Sequence, residues 1–195
     1  MPKIFLSESD IERLIKAIED DKRTSAIVHV FLSSGIRVSD LVRLKLADVC
    51  YSNGAIRENI RIRQKKTGNI VETPLSPRAQ EALREYLRTR NNQRSIYVFT
   101  SQRRRFDDIP LSRHQVHIIV KRALSKIMDL DRLKGNCCHV LRRSVAHILS
   151  ERSGRIETAS RWLGHSNIGT TIHYLDMDKY GREAEKIIRS LPWAK

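Results

Sequence analysis

The stretch Cys138-His139-Val140-Leu141-Arg142-Arg143 begins the part of the chain in which helical signals are most continuous. Two further stretches follow it, Trp162-Leu163-Gly164-His165 and Thr170-Thr171-Ile172-His173-Tyr174. Together they supply imidazoles, a guanidinium and a phenol, which are groups that transfer protons, stabilise anions and act as nucleophiles. We interpret them as one half of a phosphoryl-transfer site, whose other half must come from earlier in the chain.

The helix that contains His139 can be tested geometrically, because successive residues turn by about 100°. Its apolar stripe consists of Leu141, Val145, Ile148 and Leu149. Arg142 lies roughly 75° from the centre of that stripe, and Arg143 lies almost opposite it. We therefore expect Arg142 to point into a structured pocket and Arg143 to face solvent or a DNA backbone. His139 lies near the helix start, where backbone N–H groups favour an anion.

A second candidate arginine lies between two predicted helices. The apolar run 24–34 predicts a buried helix that ends at Gly35, and Ser39 is expected to cap a third, short helix. Arg37 lies in the junction between them, where rigid neighbours would hold it in place. The alternative is an ordinary arginine that hydrogen-bonds the last carbonyls of the preceding helix.

The remaining pattern is helical apart from one β-hairpin. The hairpin is predicted from residues 59–63 and 70–75, with a turn at Thr67-Gly68-Asn69 and with Lys65 and Lys66 near its tip. Ser7, Pro77 and Ser112 each stand where a helix should begin. The predicted fold class is mainly α with a small antiparallel β-sheet (α+β), in one domain spanning residues 1–195.

The charge of the chain favours nucleic acid as its partner. Lys and Arg total 37 against 22 Asp and Glu, which gives a net charge of +15 and a pI of about 10.2. Much of the positive charge lies within the body of the domain, in residues 57–66 and 84–105, and not in a terminal tail. Such an excess costs stability by self-repulsion, so a continuous basic surface for DNA is the preferred interpretation over merely solvated faces.

Each C-terminal candidate also has a structural interpretation. His165 could be a capping or core histidine, and Tyr174 an aromatic ring packed in the helical body. A zinc site could use Cys137, Cys138, His139 and His165, but adjacent cysteines lack the usual C-x₂₋₄-C spacing.

Three cysteines make no disulfide framework, and no signal peptide or membrane span is evident, so we expect a soluble cytoplasmic protein.

Taken in order, these motifs resemble the catalytic domain of the tyrosine recombinases, the phage-integrase-type site-specific recombinases. The family patterns match Gly35-Ile36-Arg37-Val38-Ser39-Asp40-Leu41, Lys66-Thr67-Gly68, His139-Val140-Leu141-Arg142, Leu163-Gly164-His165 and residues 170–174. The agreement extends from Ser7 to about Tyr180. Five elements in the same order are far more specific than any one of them.

The resemblance implies a role for each residue. Tyr174 would attack a DNA phosphate to form a 3′-phosphotyrosyl link, without a cofactor or metal. Arg37 and Arg142 would hold the phosphate oxygens. Lys66 would protonate the leaving 5′-oxygen, His139 would assist proton transfer from the tyrosine, and His165 would hydrogen-bond the phosphate. The acid of the first-arginine motif, Asp40, would orient the site.

Some expectations concern the ends of the chain and its partners. Family members commonly carry an N-terminal DNA-clamping domain, and this sequence begins at the catalytic part, as a short recombinase or a fragment of a longer protein would. A tail helix at about 179–195 is expected to pack on a neighbouring protomer, with a dimer on a site of double-stranded DNA and a tetramer in synapsis. Tyr180 is the fallback nucleophile, and Lys65 could replace Lys66.

Three functions fit the resemblance. The first is site-specific recombination, by integration, excision or inversion of DNA. The second is relaxation of DNA by a type IB topoisomerase, which shares the chemistry but needs no synapsis. The third is DNA binding by a catalytically idle regulator, and the intact set of six candidate residues argues against it.

Overall fold

The computed structural model describes residues 4–65, 68, 70–101, 108–129 and 137–175. The helices in these ranges are α1 Glu8–Ala17, α2 Lys22–Ser34, α3 Val38–Leu41, α4 Leu46–Val49, α5 Pro77–Thr89, α6 Arg113–Leu124, α7 Cys137–Ser153, α8 Ile156–Leu163 and α9 Ile168–Leu175. The strands are β1 Asn59–Arg63 and β2 Ile70–Pro74. The predicted mainly helical α+β class is confirmed. No helix of the described ranges is both long and apolar enough to cross a membrane.

Capping side chains set the predicted helix starts. The hydroxyl of Ser7 accepts a hydrogen bond from the Asp10 amide, and the Asp10 carboxylate accepts one from the Ser7 amide. Ser76 precedes Pro77 and caps α5, and Ser112 caps α6 in the same reciprocal manner with Gln115. These three starts lie where the sequence predicts them.

Helix α3 begins earlier than predicted. Gly35 ends α2 in the left-handed region at φ 58°, and α3 begins at Val38 with Arg37 as its N-cap residue and no capping side chain. The prediction that Ser39 caps this helix is therefore wrong, because the three residues 35–37 suffice to turn the chain from α2 into α3. The consequence is that Arg37 is held in an extended conformation between two helices.

The hairpin is fixed to the end of α2 and to α3. β1 pairs antiparallel with β2 in the register Ile60 opposite Thr73, and both of these side chains are buried. The Thr73 hydroxyl donates to the carbonyl of Ser34 at 2.8 Å, and the buried carboxylate of Asp40 accepts from the Lys65 amide at 2.9 Å. The base of the hairpin loop is thereby held beside the Arg37 junction.

Two apolar clusters organise the described residues. The larger one fills the space among α1, α2, α5, α6, the hairpin and the start of α7, with Phe31, Leu83 and Leu124 among its fully buried members. The smaller one comprises Ala146, Ala159, Leu163 and Leu175, from α7, α8 and α9. It is therefore the smaller cluster that holds the C-terminal helices in place.

Helix α7 is buried on more sides than the predicted stripe, of which Leu141 is buried as predicted. Val145, Ile148 and Leu149 of the predicted stripe are only half-buried, while Ser144, Ala146 and Ser150 are buried. Helices α2, α6, α8 and α9 all pack on α7, so small side chains serve where neighbouring backbones come close. The Ser144 hydroxyl also accepts from the Leu6 amide at 2.7 Å.

Candidate active site

The Arg37 junction is shaped by close contact between Gly35 and Trp162. A Cβ atom at Gly35 would lie 2.5 Å from the Trp162 ring, and the indole N–H donates to the carbonyl of Ser33 at 3.1 Å. The end of α8 is thus pressed against the end of α2. Arg37 Nη1 is buried and has no hydrogen-bond partner among the residues that the structure describes. A buried donor in that condition favours a bound anion.

Arg142 lies in the pocket that the sequence predicts for it. Its side chain is 3% exposed, and Nη2 donates to the carbonyl of Leu163 at 2.6 Å. Burial, with a smaller contribution from the charge of Arg37, lowers the pKa of Arg142 to about 10, so the guanidinium is still charged at neutral pH. Two guanidinium groups close enough to repel each other form a site that an anion with two acceptor oxygens would stabilise.

The phenol of Tyr174 faces this arginine pair and His139. Its hydroxyl lies 3.5 Å from Nδ1 of His139 and 3.4 Å from the His139 carbonyl, at the outer limit of a hydrogen bond. Burial raises the pKa of Tyr174, and the positive charges of Arg142, Arg143 and Arg37 oppose that rise. The nucleophile candidate is therefore a half-buried phenol in a cationic environment.

His165 is oriented from the other side of Tyr174. Gly164 ends α8 in the left-handed region at φ 65°, and Nδ1 of the following His165 lies 2.8 Å from the Thr171 hydroxyl. The imidazole centroid lies 5.8 Å from that of Tyr174, with the rings at 88°. Because one ring nitrogen is paired with a buried threonine, the orientation of the imidazole is fixed.

The structure corrects the expected position of Arg143. Its side chain is half-buried, and the guanidinium carbon lies 5.4 Å from the centroid of the Tyr174 ring. It does not simply face solvent, because α9 packs on α7 and brings Tyr174 against it. The prediction was made from the angle of Arg143 on its own helix, and that angle contains no information about a neighbouring helix that comes later in the chain.

The described residues therefore bring together five of the six predicted site residues, namely Arg37, His139, Arg142, His165 and Tyr174. Lys66 lies outside the described residues, and so do Tyr180 and the predicted tail helix at 179–195. Of the hairpin loop, the Lys65 amide is placed by its bond to Asp40.

Sequence reasoning missed three contributors to the site. They are Thr171, which orients His165, Trp162, which packs on Gly35, and Arg143, which contacts Tyr174. Thr171 is part of the Thr170–Tyr174 motif, so its position was a usable signal. The Gly35–Trp162 contact joins residues far apart in sequence, and no local pattern indicates it.

The zinc alternative has no ligand cluster in the described ranges. There, no three His, Cys, Asp or Glu side chains are grouped so that they could hold a metal ion. Cys137 and Cys138 are buried, and burial raises the pKa of both thiols, to about 12 for Cys138. Zinc is bound by thiolates, so this environment disfavours the metal-binding form.

Known proteins resemble this chain in sequence and in fold. Residues 4–180 match the model of the phage integrase family. Tyrosine recombinase XerC of Thermodesulfovibrio yellowstonii is 31% identical over 191 residues, covering 91% of this chain and 59% of the relative. Tyrosine recombinase XerA of Pyrococcus horikoshii is 31% identical over 185 residues, covering 94% and 60%. The chain thus spans less than two thirds of the length of these relatives.

Solved structures of recombinases have folds similar to that of this chain. A crystal structure of XerA recombinase has a TM-score of 0.73 at 27% identity and covers 98% of this chain and 67% of that one. The fold alone is shared with XerH site-specific recombinase bound to palindromic difH substrate, with a TM-score of 0.71 at 19% identity over 98% of this chain and 53% of that one. The resemblance predicted from the motifs is confirmed, and the chain belongs to the phage integrase family.

Proposed function

We propose that this chain is the catalytic part of a site-specific recombinase, which cleaves and rejoins DNA strands through a 3′-phosphotyrosyl intermediate. The observation that carries the proposal is the position of the Tyr174 phenol, which faces His139 and the charges of Arg37 and Arg142. A nucleophile, a proton acceptor and an anion site lie together, and these are the parts that phosphoryl transfer needs.

The arginine pair binds the scissile phosphate in this proposal. Arg37 offers a buried donor with no partner among the described residues, and Arg142 is held rigidly by the Leu163 carbonyl. The pentacoordinate transition state carries more charge on its non-bridging oxygens than the ground state does. Fixed guanidinium donors in a buried site therefore stabilise the transition state more than the bound substrate.

Different residues carry out the two proton transfers of the cleavage step. The Tyr174 oxygen forms a bond to phosphorus and loses its proton towards Nδ1 of His139, which lies 3.5 Å away. The bond from phosphorus to the 5′-oxygen breaks, and that oxygen takes a proton from Lys66, a role that rests on the Lys66-Thr67-Gly68 motif alone. His165, oriented by Thr171, donates a hydrogen bond to the phosphate. Religation reverses these steps, so the bond energy is conserved.

Double-stranded DNA is the proposed partner, with a dimer on each site and a tetramer in synapsis. The net charge of +15 supports a polyanionic ligand. One structural neighbour is a lambda integrase dimer bound to a COC′ core site, which resembles this chain in fold at 22% identity with a TM-score of 0.63. The protein would act in the cytoplasm, on the nucleoid when bound to DNA.

Covalent trapping tests the proposed function. Duplexes that the protein binds are selected from a random-sequence pool and then nicked close to the cleavage site, so that the short 5′-hydroxyl fragment diffuses away and religation is prevented. We expect a protein–DNA adduct that retains a label on the 3′-phosphate side and forms in EDTA. Absence of an adduct on every selected duplex, with binding intact, would contradict the proposal.

A plasmid assay separates recombination from the alternatives. A recombinase should relax a supercoiled plasmid that lacks a selected site only poorly, and should join two selected sites in one plasmid. Efficient relaxation of any plasmid would favour the type IB topoisomerase. Binding to the selected sites with neither relaxation nor an adduct would favour the regulator.

A further inference from the structure

We propose that Arg143 is a positioning residue, which holds the Tyr174 ring for attack and favours the ionised phenol through its positive charge. The proposal rests on the proposed function, in which Tyr174 is the nucleophile. In the proposed function, Arg37 and Arg142 bind the phosphate and Arg143 has no role. The present proposal gives Arg143 one.

Arg143 and Tyr174 meet across the contact between α7 and α9. The guanidinium carbon lies 5.4 Å from the ring centroid, within the range of a cation–π interaction. Nε of Arg143 is buried and has no hydrogen-bond partner among the described residues. The guanidinium plane is weakly hydrated and stacks well on aromatic rings, so the ring is a suitable neighbour for a nitrogen that water does not reach.

The charged and titratable groups around Tyr174 come from three parts of the fold. Arg142, Arg143 and His139 lie on α7, Arg37 lies at the start of α3, and His165 follows α8. The His139 and His165 ring centroids lie 6.3 Å and 5.8 Å from that of Tyr174. Burial raises the pKa of Tyr174, and the three arginines oppose it.

Substrate binding distinguishes Arg143 from the other two arginines. A phosphate held by Arg37 and Arg142 would cancel much of their effect on the phenol, because its negative charge would lie beside them. Arg143 lies over the ring of Tyr174, and its contact needs no phosphate. Its charge would therefore remain available to the phenoxide at the moment when Tyr174 must lose its proton.

A titration that needs no DNA tests this proposal directly. Tyrosine labelled with ¹³C at Cζ reports ionisation by NMR, and Tyr174→Phe identifies the Tyr174 signal. We expect Arg143→Gln to raise the midpoint of Tyr174 by about one pH unit, a tenfold lower ionised fraction at a given pH, because a charge at this range is lost. Arg143→Lys, which keeps the charge without the plane, should give less than half of that rise.

Matched variants separate charge from folding. Arg161→Gln removes one positive charge from an exposed position on α8 and should leave the Tyr174 midpoint unchanged. Arg143→Met provides a second uncharged variant with a similar stem, in case Arg143→Gln fails to fold. An unchanged midpoint in the folded uncharged variants would overturn the proposal, and so would an equal rise in Arg143→Lys.

Cleavage of the nicked duplex gives the second measurement. In single-turnover experiments, Arg143→Gln should move the alkaline rise of the adduct rate upwards by about one pH unit and slow the rate about tenfold at pH 8. A loss that persists above the midpoint of the variant, where Tyr174 is ionised in both proteins, would indicate a merely structural residue. If the unaltered protein forms no adduct while the titration shifts as expected, the proposed function fails and the Arg143–Tyr174 contact stands.

Discussion

Arg142 and Arg143 are adjacent and chemically identical, yet the structure gives them different surroundings. Arg142 is buried against the carbonyl of Leu163, where desolvation lowers its pKa to about 10. Arg143 is rotated by about 100° from Arg142 around the axis of α7, and its guanidinium lies against the ring of Tyr174. In the proposed function, α7 would thus present one guanidinium to the phosphate and the next to the proposed nucleophile.

The first prediction concerns the planar donors of Arg142. Arg142→Lys keeps a positive charge but loses the two-pronged contact with phosphate oxygens and the bond to Leu163. We expect the single-turnover rate of adduct formation to fall by about 10²–10³-fold. DNA affinity, measured by fluorescence anisotropy, should fall much less, because the proposed DNA interface would contact many other phosphates. Equal losses in affinity and rate would contradict a role specific to the transition state.

At the scale of elements, the contact between α2 and α8 positions the arginine site. Gly35→Ala adds a Cβ 2.5 Å from the Trp162 ring at a residue with φ 58°, so it combines backbone strain with overpacking. We expect it to lower the free energy of unfolding by about 2–4 kcal/mol, measured by urea denaturation.

Gly54→Ala is the matched control for this substitution. Gly54 also has positive φ, at 82°, but a Cβ there would meet nothing within 4 Å. It should therefore cost only the backbone strain, about 1–2 kcal/mol. Equal losses in the two variants would mean that Trp162 adjusts without cost and that the contact does not hold the junction.

The hairpin carries the third prediction, on the proposed general acid. Lys66→Ala should slow adduct formation about 10²–10⁴-fold, because the leaving oxygen is no longer protonated. A duplex with sulfur in place of the bridging 5′-oxygen should restore most of the rate, since a thiolate leaves without a proton. Lys65→Ala is the neighbouring control and should lose only a few-fold. If the sulfur duplex rescues Lys65→Ala instead, the two lysines exchange roles.

The sequence predicts local features of these elements well and contacts between distant elements poorly. The helix starts at Ser7, Pro77 and Ser112 and the hairpin strands follow from hydrogen bonds, backbone preference and alternation over a few residues. Ser39 was assigned to the wrong position because the length of the α2–α3 connection depends on packing. The Arg143–Tyr174 contact was missed because it depends on α9 lying along α7.

In the candidate site, too, the sequence predicts local motifs well and contacts between distant residues poorly. Arg37, His139, Arg142, His165 and Tyr174 were predicted as one site from motif order, and the structure places them together. The supporting contacts of Trp162 and Thr171 need three-dimensional information, since their partners, Gly35 and His165, are identified only once the helices pack. Motifs therefore predicted which side chains come together, and the structure shows the contacts that orient them.

The fourth prediction belongs to the whole molecule and its charge. Each phosphate neutralised by Lys or Arg releases a condensed counterion, so affinity should fall steeply with salt. With a net charge of +15, we expect about 6–10 phosphate contacts and a loss of about 10³–10⁵ in affinity between 50 and 200 mM salt. Titration by anisotropy at several salt concentrations measures the slope. A flat response would contradict a basic DNA-binding surface.

The central claim is that Tyr174 is the nucleophile, and it can be tested on the whole chain. The unaltered protein, Tyr174→Phe and Tyr180→Phe are incubated with the nicked duplex, and the adduct is digested and mapped by mass spectrometry. We predict that the unaltered protein and Tyr180→Phe carry the nucleotide on Tyr174, and that Tyr174→Phe binds DNA but forms no adduct. An adduct in Tyr174→Phe, or a nucleotide mapped to Tyr180, would contradict the account.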